Sequence, residues 1–209
     1  MLNETDFDLW ADGYDKSVGL SDEDGSYPFA GYRDLMNAIY GRVLARGACD
    51  VLDIGFGTGV LASRLYARGC EIYGQDFSAR MCAIAQEKMP RSRLYQGDFS
   101  RALAPELAAR QYDAITATYS LHHLTDAQKV CFLRTLLPLL KDGGTLYVGD
   151  VAFETRAELD ACRLKAGDAW DEDEIYFVAG ELRAHFPALR FERFSHCAGL
   201  LTLEKENDL

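Results

Sequence analysis

The chain has 209 residues, of which 48% are hydrophobic and 26% charged, and this length is enough to bury one core without disulfide or metal staples. We therefore predict a single folded domain over residues 1–209. The formal net charge of −11 disfavours a nucleic-acid partner, because such proteins usually present a basic surface to the phosphates.

The six cysteines are scattered through the chain without a CxxC pair, which predicts reduced thiols and no metal site. The first residues, MLNETDFDLW, are acidic and lack an apolar core, so they do not resemble a signal peptide. No apolar run of roughly 18 residues follows, which argues against a membrane span. Together these features lead us to expect a cytoplasmic protein.

The residues before Cys49 contain no strand pattern. Helical patterning runs from about Tyr32 to Arg46, so residues 1–48 are predicted to form an N-terminal helical cap on a core of residues 49–209. From Cys49 onward, short apolar runs alternate with helical patterns, as in CDVLDIG and GVLASRLYARG, or EIYGQD and SARMCAIAQEKM. This alternation predicts an α/β fold with a doubly wound, mainly parallel sheet.

Later helices and strands carry further local signals. Ser78 and Thr125 stand where each can cap a following helix, and the Ala-rich stretch from Ala102 to Arg110 has a helical pattern. Helical patterns also run from Arg156 to Ala169 and near Ile175 to Phe186. The last two strand-like runs, FERFSHC and GLLTLEK, are so close together that they predict an antiparallel hairpin at the sheet edge.

The sequence VLDIGFGTG, from Val51 to Gly59, is the strongest functional signal. A strand ends in Gly55, Gly57 and Gly59, which allow a tight turn and bring bare backbone against a ligand. The alternative is a tight strand-helix connection that binds nothing. The GxGxG pattern lacks the last glycine of the GxGxxG dinucleotide fingerprint, which weakens an NAD interpretation.

Two acidic residues follow the next two strands. Asp76 ends the second strand, where a carboxylate can accept hydrogen bonds from ribose hydroxyls, although it also suits the positive end of the following helix. Asp98 ends the third strand in GDF, where it or the Phe99 backbone could meet the amino group of an adenine. A glycine turn and two aspartates at three successive strand ends favour a nucleoside ligand.

The segments VLDIGFGTG, QDFSARM, GDF and YDAITATYSLHHL resemble the successive motifs of class I S-adenosylmethionine-dependent methyltransferases. With FDLWADGYDKSV and DVAFE, the chain is also similar to small uncharacterised bacterial methyltransferases of the YrrT type. The resemblance implies a Rossmann-like seven-stranded sheet in the order 3-2-1-4-5-7-6, with strand 7 antiparallel. It implies S-adenosylmethionine (SAM) as methyl donor and S-adenosylhomocysteine (SAH) as product, but it does not supply the acceptor.

The same resemblance implies roles for individual residues. Asp53 and the glycines are expected beside the amino-acid moiety of SAM, and Asp76 on its ribose. The other expected contacts are Phe77 and Met81 at the adenine, Asp98 and Phe99 at its amino edge, Tyr119 and Ser120 under the sulfonium, and Tyr14 on an N-terminal lid. For Tyr14, plain packing against Trp10 is an open alternative, because residues four apart share a helix face.

His122 and His123 follow the fourth strand and Asp150 ends the fifth, on the rim where a methyl acceptor would approach. Any of the three could remove a proton from the acceptor. Adjacent histidines point apart on a helix or turn, so at most one is expected to face the site.

The sequence therefore predicts a methyltransferase for a small-molecule acceptor, with no membrane partner and no indication of oligomeric state. Two alternatives stay open. The chain could be a sensor that binds SAM or SAH without turnover, or, less favoured, an NAD-dependent oxidoreductase.

Overall fold

The computed structural model describes residues 25–47 and 49–205. The first described helix, α1 (Tyr32–Leu44), precedes the sheet, as the sequence predicts. The elements after it alternate as β1 (Asp50–Ile54), α2 (Val60–Tyr66), β2 (Glu71–Asp76), α3 (Ala79–Lys88), β3 (Arg93–Gln96), α4 (Pro105–Ala108) and β4 (Tyr112–Thr118). A 3-10 turn (Leu121–His123) and α5 (Asp126–Leu136) then lead, through a second 3-10 turn (Leu137–Leu139), into the long strand β5 (Leu140–Phe153).

The remainder of the described chain consists of α6 (Arg156–Ala166), a 3-10 turn (Gly167–Ala169), β6 (Phe177–Val178), α7 (Ala179–Leu182), β7 (Arg190–Arg193) and β8 (Ala198–Glu204). Strands β7 and β8 form the expected antiparallel hairpin, in which Arg193 pairs with Gly199. None of the helices in the described part of the chain combines the length and apolarity needed to cross a bilayer.

The main sheet has the order β3-β2-β1-β4-β5-β8-β7, and β8 runs antiparallel to β5. This confirms the predicted α/β fold class and the predicted order of the seven main strands. The predicted number of strands is one too low, because the two-residue β6 pairs in parallel with the end of β5. Counted along the chain, the hairpin strands are therefore the seventh and eighth.

Two hydrophobic cores lie on the two faces of the sheet, and alternate strand residues divide between them. In β1, Val51 belongs to the core that contains Leu35 and Ile39 of α1, whereas Leu52 belongs to the core that contains Leu133 of α5. Helix α1 packs closely on β5, since a Cβ added at Gly149 would lie 2.9 Å from Ile39 Cδ1. The period of two in the strands thus places helices on both faces.

Local capping signals are confirmed. The Ser78 hydroxyl accepts a hydrogen bond from the Met81 N–H at the start of α3. Thr125 and Gln128 form a reciprocal capping box at the start of α5. Such bonds satisfy backbone donors that the first helical turn leaves without intrahelical partners.

Two helix predictions were too long. Between Ala102 and Arg110 only Pro105–Ala108 is helical, because the buried Gln75 amide bonds both Ala102 O at 2.9 Å and Ala104 N at 2.7 Å. Those bonds hold the backbone extended. Between Ile175 and Phe186, Phe177 and Val178 pair with β5 instead, and the α-helix is limited to Ala179–Leu182.

Candidate functional site

The carboxyl ends of β1, β2 and β4 lie side by side at one edge of the sheet. Ile54 pairs with Gln75 of β2 on one side and with Ala117 of β4 on the other. The segments that follow these strands, including the glycine turn and Asp76, therefore converge, as expected for a ligand site in a doubly wound sheet.

The glycine turn uses its three glycines differently, although all three have positive φ, at 64° for Gly55, 54° for Gly57 and 77° for Gly59. At Gly55, an added Cβ would lie 2.4 Å from the Cβ of Ser120. At Gly59, it would lie 3.0 Å from Met89 Cε, against α3. At Gly57, no described heavy atom lies within 4 Å of the added position, so this part of the turn faces open space.

Asp76 links the turn to the next helix. Its Oδ2 accepts the Gly57 N–H at 2.8 Å, and its Oδ1 accepts the Ser78 N–H at 2.9 Å. The carboxylate is buried, with 7% of the residue exposed, and lies at the positive end of the α3 dipole. Both sequence interpretations of Asp76 are thus compatible with its position beside the glycine turn and ahead of α3.

Asp53 is a carboxylate buried in the sheet, with 1% exposed. Its Oδ1 accepts a hydrogen bond from Thr116 Oγ1 at 2.8 Å. Burial raises the pKa of Asp53 to about 7, and the nearby charge of Asp76 works in the same direction while the Thr116 bond opposes it. A buried carboxyl group whose pKa is raised to near 7 is typical of a functional site, where a cationic ligand would favour its charged form.

Asp98 bonds mainly within its own turn. Its Oδ1 accepts the Ser100 N–H at 2.9 Å, and its Oδ2 lies 3.2 Å from Arg101 Nε. The Phe99 ring stacks on Phe132 at a centroid distance of 5.5 Å, and its edge lies 3.5 Å from the position of a Cβ on Gly55. Phe99 therefore borders the glycine turn directly, whereas the Asp98 side chain is engaged locally.

Phe77 follows Asp76 directly, and Met81 lies in the first turn of α3. Phe77 is half-buried, and Met81 is buried with 4% exposed. Their positions next to Asp76 agree with a shared role in one binding region. Tyr14 lies outside the described residues.

Tyr119 and Ser120 follow β4 at the centre of the edge. Tyr119 has a φ of 49°, a left-handed conformation unusual for a bulky residue, which costs about 1–3 kcal/mol and is often found at functional sites. Its ring packs between Phe29 and Tyr32, at centroid distances of 5.3 and 5.2 Å. The Ser120 hydroxyl donates to Ile54 O at 3.0 Å and so fixes the glycine turn from the β4 side.

A second polar cluster lies after β4 and along the last part of β5, which continues past Asp150 to Phe153 instead of ending at Asp150 as predicted. His122 Nδ1 bonds Asp150 Oδ1 at 2.7 Å, and His122 Nε2 lies 3.3 Å from Glu174 Oε1. Burial lowers the pKa of His122, but the two carboxylates outweigh it and raise the pKa to about 10. Burial raises the pKa of Glu174, but the hydrogen bond and charge of His122, the bond from Tyr176 and the charge of His123 together lower it to about 2.

His123 lies against His122, with ring centroids 4.3 Å apart, so the expectation that the two rings point apart was wrong. Both residues belong to the 3-10 turn Leu121–His123. His123 is exposed to solvent, yet the protein around its ring still disfavours the charged imidazolium. This desolvation, together with the charge of His122, lowers the pKa of His123 to about 4.

Glu174 was missed in the sequence, where it is one of several acids in the run DEDE. Two hydrogen bonds hold the loop of Glu174 beside His122. The Ile175 N–H donates to His122 O at 2.8 Å, and the buried Lys129 donates to Ile175 O. Tyr176 donates to Glu174 Oε2 at 2.6 Å. Spacing alone could not have selected Glu174 from its neighbours, because its partner lies 52 positions earlier in the chain.

Two cavities lie elsewhere. One of about 630 Å³ lies between the end of α1 and the β7–β8 hairpin, and one of about 570 Å³ lies at the amino end of the sheet near Lys141. Neither is lined by a residue of the predicted site. Both cavities are therefore separate from the strand ends where the predicted site residues lie.

Comparisons with known proteins agree with this geometry. The sequence profile of a family described as "Methyltransferase domain" matches residues 51–144. An uncharacterized methyltransferase of Anoxybacillus flavithermus (strain DSM 21510 / WK1) is 32% identical over 91% of this chain and 86% of its own length. The chain therefore belongs to the class I SAM-dependent methyltransferases.

Two solved structures share the fold. One, a DhpI–SAH complex, has a TM-score of 0.68 at 19% identity and covers 98% of this chain and 95% of its own. The other is magnesium protoporphyrin IX methyltransferase from Synechocystis PCC 6803 with bound SAH, with a TM-score of 0.66 at 18% identity and 85% coverage of both chains.

Proposed function

We propose that this protein transfers the methyl group of SAM to a small-molecule acceptor, and that the cofactor binds across the carboxyl ends of β1, β2 and β4. The observation that carries the proposal is the joint position of Asp53 and Asp76. Two buried carboxylates flank one open glycine turn, which suits a ligand with a cationic amino acid end and a hydroxyl-rich nucleoside.

In this proposal Asp53 and the glycines Gly55, Gly57 and Gly59 contact the amino-acid moiety, and Asp76 contacts the ribose. Phe77 and Met81 pack on the adenine, Asp98 and Phe99 lie at its amino edge, and Tyr119 and Ser120 lie below the sulfonium. The single-domain arrangement, in which residues 1–48 cover a core of residues 49–209, belongs to the same proposal. The contact of Tyr119 with Phe29 and Tyr32 supports it, because it joins the segment before α1 to the strand ends.

The chemistry requires little from the protein beyond alignment. The acceptor atom attacks the methyl carbon, a bond to that carbon forms, and the S–CH₃ bond breaks with its electron pair passing to sulfur. Orientation alone can contribute on the order of 7–11 kcal/mol in well-aligned reactions. An acceptor that carries a proton must also lose it, and we assign His122, His123 and Asp150 to that side of the site.

The solved neighbours support a small acceptor without identifying it. One neighbour is a magnesium protoporphyrin IX methyltransferase, and another is an amino pentose methyltransferase from Micromonospora echinaspora. Molecules this different are methylated by proteins that share the fold, so the fold supplies the donor site and leaves the acceptor open.

The first experiment is calorimetric titration of the purified full chain with SAM, SAH and NAD. We expect SAM and SAH to bind and NAD not to bind. Asp76→Ala should weaken SAH binding by about 1.5–3 kcal/mol through loss of charge-assisted hydrogen bonds. Asp142→Ala is the matched control, because Asp142 is an exposed aspartate at the amino end of β5.

An unchanged SAH affinity in Asp76→Ala would contradict the ribose assignment. Tight NAD binding without SAH binding would point to the oxidoreductase alternative. Turnover is tested separately by measuring SAH release over a panel of small hydroxyl, thiol and amine acceptors. A protein that binds SAH but turns over none of them would behave as a sensor.

A further inference from the structure

The cluster beyond the donor site contains two imidazoles and a carboxylate with metal-binding capacity. His122, His123 and Glu174 each offer a ligand atom, and the three atoms lie within 4.8 Å of one another. Neither the predicted donor site nor the alignment of a methyl group requires such a grouping. Its geometry therefore calls for a separate explanation.

The distance between two of these atoms matches a metal site. His122 Nε2 and Glu174 Oε1 are 3.3 Å apart. Two ligands that each lie about 2.0–2.2 Å from a tetrahedral zinc ion are separated by roughly 3.3–3.6 Å. His123 needs a ring movement of at most about 1.5 Å to close the triangle, and its exposed position at the end of the 3-10 turn allows one.

The surroundings of the two more buried ligands also match. The Asp150 carboxylate accepts a hydrogen bond from His122 Nδ1, so the other ring nitrogen, Nε2, faces Glu174. Metal-binding histidines usually donate the second ring N–H to a carboxylate in this way. Asp150 is in turn held by the Val151 N–H at 2.8 Å, and Glu174 is held through its other oxygen by Tyr176.

We propose that His122, His123 and Glu174 bind a divalent transition-metal ion of the zinc type, with Asp150 and Tyr176 as outer partners. The proton on His122 Nε2 passes to water as the ion takes its place. Two imidazoles and one carboxylate are a ligand set that zinc accepts in sites with an open fourth position. The prediction of no metal site rested on the scattered cysteines, whereas these ligands are two histidines and a glutamate far along the chain.

The role of the ion rests on the proposed function. An acceptor hydroxyl, thiol or amine in the open position would lose its proton to water more readily, because the metal stabilises the deprotonated form. The acceptor class is then a small molecule whose nucleophilic atom can coordinate a metal. Binding of the metal itself does not depend on methyl transfer, so the two can be tested separately.

The test uses the full chain treated with a chelator and then titrated with Zn²⁺ by calorimetry and with Co²⁺ by visible absorption. All variants carry Cys131→Ser, which removes an exposed thiol that could bind zinc by itself. We expect one ion per chain, a Co²⁺ spectrum typical of low coordination number, and about 10- to 100-fold weaker binding in Asp150→Asn.

His123→Ala should weaken binding at least tenfold, and it is the safer variant because its side chain is exposed. His185→Ala is the control, since it removes another exposed histidine far along the chain, after α7. Thermal melts establish that each variant is folded before titration.

Equal Zn²⁺ affinity in the parent protein, His123→Ala and His185→Ala would overturn the proposal and leave His122 and Glu174 as an ion pair. SAH is titrated on the same metal-free samples. SAH binding without metal binding rejects only the metal site, whereas metal binding without SAH binding rejects only the proposed donor site.

Discussion

Asp53 gives a quantitative test of the donor site. Burial raises its pKa from 3.8 to about 7, a difference of about three units, and each unit corresponds to about 1.4 kcal/mol. Below pH 3.8 the carboxyl is protonated in both folded and unfolded chains. Between pH 3.8 and about 7 only the unfolded chain ionises, so folding stability falls as the pH rises, by about 4 kcal/mol in total.

The perturbation is Asp53→Asn, which keeps the shape and the oxygen that Thr116 bonds but cannot ionise. The free energy of unfolding is measured by urea titration at several pH values between 4 and 8, for both proteins without ligand. The stability of the variant relative to the wild type should improve as the pH rises toward 7 and then level off. Other titrating groups contribute equally to both proteins and cancel in the difference.

A difference that does not change with pH would refute the reasoning, because it would mean that Asp53 is ionised in the folded chain throughout this range. Ligand binding gives the second half of the test. The ammonium group of SAH beside Asp53 favours the carboxylate, so wild-type affinity should rise about tenfold per pH unit between pH 5 and 7. Asp53→Asn should show no such slope.

Three further substitutions test the glycine turn and the start of α5. Gly55→Ala should be severely destabilising and abolish SAH binding, because its Cβ would lie 2.4 Å from Ser120 Cβ, whereas Gly57→Ala should cost only the left-handed backbone penalty of about 1–2 kcal/mol. Urea midpoints that coincide for the two variants would contradict the assignment of the tight and open positions. Thr125→Ala should lower the stability by about 1 kcal/mol, since it removes the capping box with Gln128; an unchanged melting temperature would show that the cap contributes nothing.

The donor half of the candidate site could be predicted from the sequence, because its signals are local. The run from Val51 to Gly59 contains both the strand and the turn, and Asp76 ends the next strand. Because parallel strands place their carboxyl ends at the same edge of the sheet, these two segments are predicted to meet there. The Ser78 and Thr125 caps and the β7–β8 hairpin were predicted for the same reason, since each depends on residues a few positions apart.

The acceptor side depends on tertiary structure. Glu174 reaches His122 from 52 positions further along the chain, through a loop that Ile175 and Lys129 fasten. Gln75 likewise prevents a helix at Ala102 by bonding across 27 positions. Such contacts produce no periodic pattern in the sequence, because each depends on a single side chain whose partner lies far away along the chain. The sequence by itself therefore determined the fold class and the residues proposed for the donor site, while only the packing of the folded chain decided which acids and imidazoles meet beside them.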